Sequence, residues 1–331
     1  MNKKERVLAV IEGKRPDVIP SSFSLHFPAE VKKGEAGIKA HLDFFNETDV
    51  DIMKVMNENL TPSISGISRP DDWKKVPTYT RHDPFIVAQA DFVKRIRDSY
   101  QEDALCLCTI HGICASTVHP MRPQYQDLYD IRAIQLEHYR ANPQVYLDAT
   151  KRIAEAQCYM VEEVIKAGAD GIYYAALGGE KNIYTDEEFA TVLKPYDLQI
   201  MDVSKKMGKP VVLHMCKKNL DINRFRDYAD SCDIVNWGIY ENDISMEEGM
   251  KMFPGKTIMG GLANRSGVLV DGTDQELIDE VHRIVKEMEG KKFILGADCT
   301  LPTDIPHSRI KTAVMAARDI PQGKPIKACA C

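Results

Sequence analysis

Eight short apolar runs, most of them followed by a stretch with helical signals, constrain this chain more than any other feature. The runs are Val18–Phe27, Val50–Met56, Ala104–Gly112, Gly171–Leu177, Pro210–Cys216, Ile234–Tyr240, Thr257–Leu262 and Phe293–Cys299. From the third run onward the apolar residues are continuous, as expected of parallel strands covered on both faces. Between the runs, Thr185-Asp186-Glu187-Glu188 reads as a capping box ahead of a helix over Phe189–Met207. Over Asp274–Glu289, Leu277, Ile278, Val281, Ile284, Val285 and Met288 recur at helical spacing. Lys166–Gly171 reads as a helix end running straight into a strand. This alternation predicts a (β/α)8 TIM barrel, and 331 residues suffice for one with insertions. An open doubly wound sheet is the runner-up, but the Gly-rich phosphate loop expected after its first strand is missing. The prediction is therefore one barrel domain over residues 1–331. Residues 30–101, with Ser-, Pro- and Asp-rich turns around Thr61–Thr78, form an extended excursion in the N-terminal third, read as a lid or appendage. Residues 327–331 are expected to form a flexible tail.

Composition narrows the function. Apolar residues make up 44% and charged residues 28%, an ordinary globular balance. The net charge of −6 lacks the basic face of a nucleic-acid binder. No run is long and apolar enough to span a bilayer, and the opening Met1–Leu8 reads as a capped surface helix without a signal-peptide core. A cytoplasmic protein is expected. Its nine scattered cysteines are then thiols or metal ligands and not a disulfide framework.

Three residues stand out as a metal set. His214 and Cys216 end the fifth run, and residues two apart on a strand point to the same side. Cys299 ends the eighth. Barrel enzymes assemble their sites from the C-terminal ends of several strands. An imidazole and two thiolates suit Zn2+, and three protein ligands leave a fourth position open for substrate. Against this, a single Cys at a strand end is usually a small buried hydrophobe, and His-x-Cys alone is a weak signal. Glu241, after the sixth run, is a candidate displaceable fourth ligand, or a loop residue contacting substrate. Asp298, beside Cys299, either touches the metal or orients a ligand by hydrogen bonding. His26 and His111, at the ends of the first and third runs, line the pocket or are structural. Asn236 and Trp237 are candidates for the floor under a flat ligand. Tyr173 and Tyr174 are assigned to core and rim. Cys106 and Cys108 fall inside the third strand, so with Cys114 they read as core packing despite their cluster-like spacing. Cys329 and Cys331 are expected to be exposed and outside the chemistry.

Further residues carry a family likeness. The opening Arg6–Asp17 with Ile19-Pro20, then Gly168–Gly171, Lys194-Pro195-Tyr196 and Gly260-Gly261-Leu262, resemble the uroporphyrinogen decarboxylase superfamily over essentially the whole chain. The resemblance implies a barrel independently of the strand count. That superfamily has a metal-free decarboxylase branch, whose arginines near the first strand grip a polycarboxylate tetrapyrrole. It also has a branch of zinc-dependent methyltransferases that work with a corrinoid protein and carry His-x-Cys and a distant Cys. Here the first run contains no arginine, and none occurs between Arg15 and Arg69. A tetrapyrrole bearing many carboxylates would be poorly held. The chain thus resembles the methyltransferase branch.

That resemblance implies His214, Cys216 and Cys299 as zinc ligands and Glu241 as a ligand that substrate displaces. The cobalamin-type corrinoid would arrive on a separate protein, since the Asp-x-His-x-x-Gly signature for binding it is absent. In this branch a zinc-held thiol such as coenzyme M or homocysteine loses its proton and takes the methyl group from methyl-cobalt(III). The sulfur–carbon bond forms, and the cobalt–carbon electron pair stays behind as cobalt(I). The reverse half-reaction, from a small methyl donor to cobalt, fits the same residues. A tetrapyrrole decarboxylase and a non-catalytic metal- or corrinoid-binding barrel remain the alternatives.

Overall fold

The computed structural model describes residues 1–122, 125 and 127–322; the tail at 327–331, with Cys329 and Cys331, lies outside them. The strands are β1 Ser21–Ser22, β2 Ile52–Val55, β3 Leu105–His111, β4 Gly171–Ala176, β5 Val211–Met215, β6 Ile234–Trp237, β7 Thr257–Leu262 and β8 Phe293–Ala297. Each falls within its apolar run. They form one sheet in the order β1-β8-β7-β6-β5-β4-β3-β2. The two ends of that order meet where Asp51 N–H donates to Ser21 O (3.0 Å). With helices between the strands, this is a (β/α)8 barrel. Every described strand residue is buried except His111 and Ala175, which are partly so.

The helices are α1 Lys3–Ile11, α2 Gly34–Thr48, α3 Pro84–Ser99, α4 Ile113–Val118, α5 Leu128–Ala141, α6 Pro143–Lys166, α7 Asp186–Glu188, α8 Lys194–Lys206, α9 Ile239–Asn242, α10 Met246–Met252, α11 Asp274–Glu287 and α12 His307–Arg318. Their starts follow local chemistry. Asn2 and Glu5 cap α1 reciprocally, Thr185 and Glu188 cap α7, and Thr273 and Glu276 cap α11. The helix read over Phe189–Met207 is interrupted: Phe189–Leu193 is a wider π-type turn before α8 begins.

Contacts gather into two compact units, Met1–Met56 with Arg95–Leu107 and the chain from Cys232 onward, and Asn57–Lys94 with Cys108–Ser231. In the first, the fully buried Asp51 is the anchor. Its carboxylate accepts from Ser21 N (2.9 Å), Ser21 Oγ (3.1 Å), Arg6 Nη1 (3.2 Å) and Arg318 Nη2 (3.2 Å), tying α1, β1, β2 and α12 together.

Residues 30–101 contribute to both units, the stretch Asn57–Lys94 belonging to the second. Within residues 30–101, α2, β2 and α3 are ordinary barrel elements, and only 56–83 departs from the repeat. That segment is pinned down. Trp73, wholly buried in the turn Pro70–Lys75, donates from Nε1 to His138 Nδ1 (3.1 Å) and packs edge-on against Tyr146 of α6. Arg152 of α6 donates to the Val76 and Trp73 carbonyls (2.9 and 3.3 Å). A buried aromatic of this size contributes a large apolar contact to the packing of this segment on α5 and α6.

The same unit buries Asp197 of α8. Its Oδ1 accepts from Ile113 N (2.9 Å) and Tyr174 Oη, and its Oδ2 from Tyr228 Oη (2.9 Å). Burial pushes its pKa up to about 6, against the pull of those three donors. A raised folded-state pKa means the native chain holds this proton longer than the unfolded chain does. The stabilisation is therefore complete below about pH 4 and is lost as pH rises through about 6. Asp197→Asn removes that titration. Denaturant unfolding from pH 4 to 7 is expected to show wild type losing about 3 kcal/mol relative to the variant. Parallel pH profiles would refute it.

Candidate metal centre

The site is built from strand ends. His214 lies in β5 and is 4% exposed, and Cys216 follows β5 by one residue with its N–H on Ala176 O (3.0 Å). Register places Ala175 of β4 beside His214, and Gly112 N–H donates to Ala175 O (2.8 Å), which sets the end of β3 level with His214. The Tyr173 ring packs beside the imidazole with centroids 5.6 Å apart. Cys299 comes two residues after β8 and is partly buried. Among the described residues, one group of three or more potential ligands meets: one ligand atom each from His214, Cys216 and Cys299, all within 4.8 Å of one another.

This set fits zinc. Zn–S near 2.3 Å and Zn–N near 2.1 Å in a tetrahedron put donor atoms roughly 3.5–4 Å apart. Small side-chain rotations close a cluster already within 4.8 Å. Two soft thiols with an imidazole match the donor preference, and three ligands leave one position open.

The other candidates are placed differently. Glu241, in α9, is exposed and outside the three-residue group, with Oε2 turned back over Gly238. Asp298 is 1% exposed, and its Oδ2 accepts from Tyr240 N (2.9 Å) and caps the start of α9. Burial pushes its pKa up to about 7. Asn236 is fully buried, and both hydrogens of its amide go to backbone carbonyls, Met259 O (2.8 Å) and Ala297 O (3.1 Å), so it staples β6 to β7 and β8. Trp237 points away from Asn236, as neighbours on a strand must. Its indole donates to Ile244 O (2.9 Å) and lies so close to α10 that a Cβ on Gly249 would sit 2.0 Å from Cη2. It is packing behind the strand and forms no floor. His26 is exposed after β1. His111 ends β3 half-buried, its ring edge-on to His119 at 5.3 Å.

Cys106, Cys108 and Cys114 are core, as read; burial pushes Cys108 up to about 12 and Cys114 to about 11, which keeps both as thiols. Tyr173, which sequence reasoning kept out of the site, lies two residues before Ala175 on the same side of β4, and the register that sets Ala175 opposite His214 brings it beside the metal set. Among the described residues no helix is long and apolar enough to cross a membrane.

Fold and site thus define a (β/α)8 barrel with a compact His/Cys/Cys cluster at its strand ends. The model of the uroporphyrinogen decarboxylase (URO-D) family matches residues 55–320, and the chain belongs to that family. No curated protein sequence matches it. Among solved structures it is similar to a methyltransferase from Methanosarcina mazei, with 16% identity over 96% of this chain and 98% of that one and a TM-score of 0.75. It is also similar to a B12-independent methionine synthase from Shewanella sp. W3-18-1, with 14% identity over 91% and 97% and a TM-score of 0.55. At such identities the likeness is one of fold.

Proposed function

We propose that this protein is a zinc-dependent methyltransferase that moves a methyl group between a corrinoid on a separate protein and a thiol or other small molecule. The observation that carries the reading is the meeting of His214, Cys216 and Cys299 within 4.8 Å. Bound there, zinc would supply an open coordination position and the charge that lets a thiol give up its proton near neutral pH. The chain's own part is to aim three ligands at one point from two strand ends. Tyr173 packs against the imidazole, and the bond from Cys216 N–H to Ala176 O fixes the backbone under the thiol. Glu241 enters this proposal as a displaceable ligand that must swing away from Gly238 to reach the cluster. A methyltransferase among the proteins of like fold supports the reading.

The decarboxylase activity in the family's name is not expected here. Segment Ser21–Pro28 has no arginine, and Arg15, the nearest one upstream, pairs with Glu289 (Nη2–Oε1 3.4 Å). Purified protein should leave uroporphyrinogen unchanged, while methylcobalamin with a panel of thiols should lose its methyl–cobalt absorbance in a zinc-dependent way. Turnover of uroporphyrinogen would place the chain in the other branch. Inertness toward every thiol, with methylation of a corrinoid protein from an ether or amine, would reverse the direction. Failure of both would remove the methyltransferase reading.

A further inference from the structure

The chain turns sharply just after Cys216. Lys217 has φ +95°, a conformation that residues other than glycine adopt only when their surroundings hold them, and Asn219 has φ +59°, in the left-handed region that asparagine tolerates. The holding contacts come from the segment after β4. Lys181 N–H donates to Asn219 O (3.0 Å), Asp221 N–H donates to Gly179 O (2.9 Å), and Glu180 and Leu220 form an antiparallel bridge. The two arms are zipped together within five residues of the thiol. Gly178, at φ +92°, and Gly179 allow the close approach; a Cβ on Gly179 would lie 2.4 Å from the Phe225 ring.

The first arm is itself locked by a buried charge. Glu180 is 2% exposed; its Oε1 accepts from Arg132 Nη1 (2.8 Å), its Oε2 from Gly178 N (3.1 Å), and its backbone carbonyl from Arg224 Nη1 (3.1 Å). Arg132, fully buried on α5, lies over the Tyr129 ring at 4.6 Å, but its Nε and Nη2 find no hydrogen-bond partner among the described residues. An ion pair with two orphaned donors is a poor source of stability, since an apolar pair of like volume would do as well or better. What it supplies is a directional bond of fixed length at the root of the arm that clamps the turn after Cys216.

We propose that the Arg132–Glu180 pair is a positioning device for Cys216: by fixing the 178–181 arm it holds the 216–221 turn, and so sets where the thiol meets the other two ligands. The inference rests on the metal reading above. Two measurements separate placement from plain stability: zinc affinity by chelator competition, and the visible absorption of the Co(II)-loaded protein, which reports thiolate coordination geometry. Glu180→Gln should weaken zinc binding roughly 10–100-fold, the range for groups that orient a metal ligand from outside, and shift the cobalt bands. Because Glu180→Gln leaves a buried guanidinium without its counter-charge, which destabilises the fold, the pair is also replaced together, as Arg132→Met with Glu180→Leu. That double variant should regain wild-type thermal stability while keeping the weakened metal affinity and shifted bands. Wild-type affinity and an unchanged cobalt spectrum in the folded double variant would overturn the positioning role alone. Wild type that binds neither zinc nor cobalt would overturn the metal reading and this inference with it.

Discussion

Cys216→Ala and Cys299→Ala proteins are each expected to fall well below one equivalent of zinc, where wild type holds one, and to show no measurable methyl transfer. Three protein ligands are the fewest that hold zinc tightly while leaving it open to substrate. Removing one of the two thiols leaves a two-ligand site whose affinity drops by more than the roughly 100-fold lost when only an orienting partner is removed. Both cysteines are partly buried strand-end residues, so neither truncation opens a large core cavity and both variants should stay folded. Glu241→Gln is the contrast. It lies outside the three-residue group and should keep stoichiometric metal. Elemental analysis of the four proteins after desalting, beside the methylcobalamin assay, decides the matter. Full metal retention in either cysteine variant would remove that residue from the ligand set.

Asp51→Ala should destabilise the protein by about 3–5 kcal/mol, the range for breaking a buried charge cluster from one side. Asp51 is wholly buried and meets two cations, Arg6 and Arg318, and the Ser21 hydroxyl and amide. Arg6 keeps Asp17 (2.8 Å) and Arg318 keeps Asp49, so each cation retains one partner and the effect stays within that range. Denaturant unfolding measures it. A loss below about 1 kcal/mol, the size of a surface ion pair, would show that the cluster adds no more than exposed pairs do. The metal content of the folded fraction should not change, which separates this variant from the cysteine variants.

The barrel was legible because its signals are local. A buried parallel strand announces itself in five or six consecutive apolar residues, and the caps at Asn2, Thr185 and Thr273 each need only a carboxylate three residues on. The shared side of His214 and Cys216 follows from strand parity. Where a reading depended on what stands opposite, the sequence ran out. Trp237 looked like a ligand platform until Gly249, on a helix twelve residues later, showed which way the indole packs. Asn236 read as part of the floor under a flat ligand; its bonds to the carbonyls of Met259 and Ala297 lie on other strands and leave no local trace. Within the stretch 30–101, read as a lid or appendage, the partners of Trp73 lie on α5 and α6, far along the chain, where no local signal points to them.

By itself, then, the sequence determined the number of the strands and their places along the chain, the helix starts at Asn2, Thr185 and Asp274, and the pairing of two donors at the end of β5, since each is set by residues within a turn or a strand of one another. The tertiary structure decided that Glu241 stands outside the group of His214, Cys216 and Cys299, that Asp51 gathers Arg6 and Arg318, and that Arg132 reaches Glu180. Those are choices among distant partners with similar local signals. They are made by which side chains the closed sheet and its packed helices bring within hydrogen-bonding reach, and spacing along the chain carries no record of them.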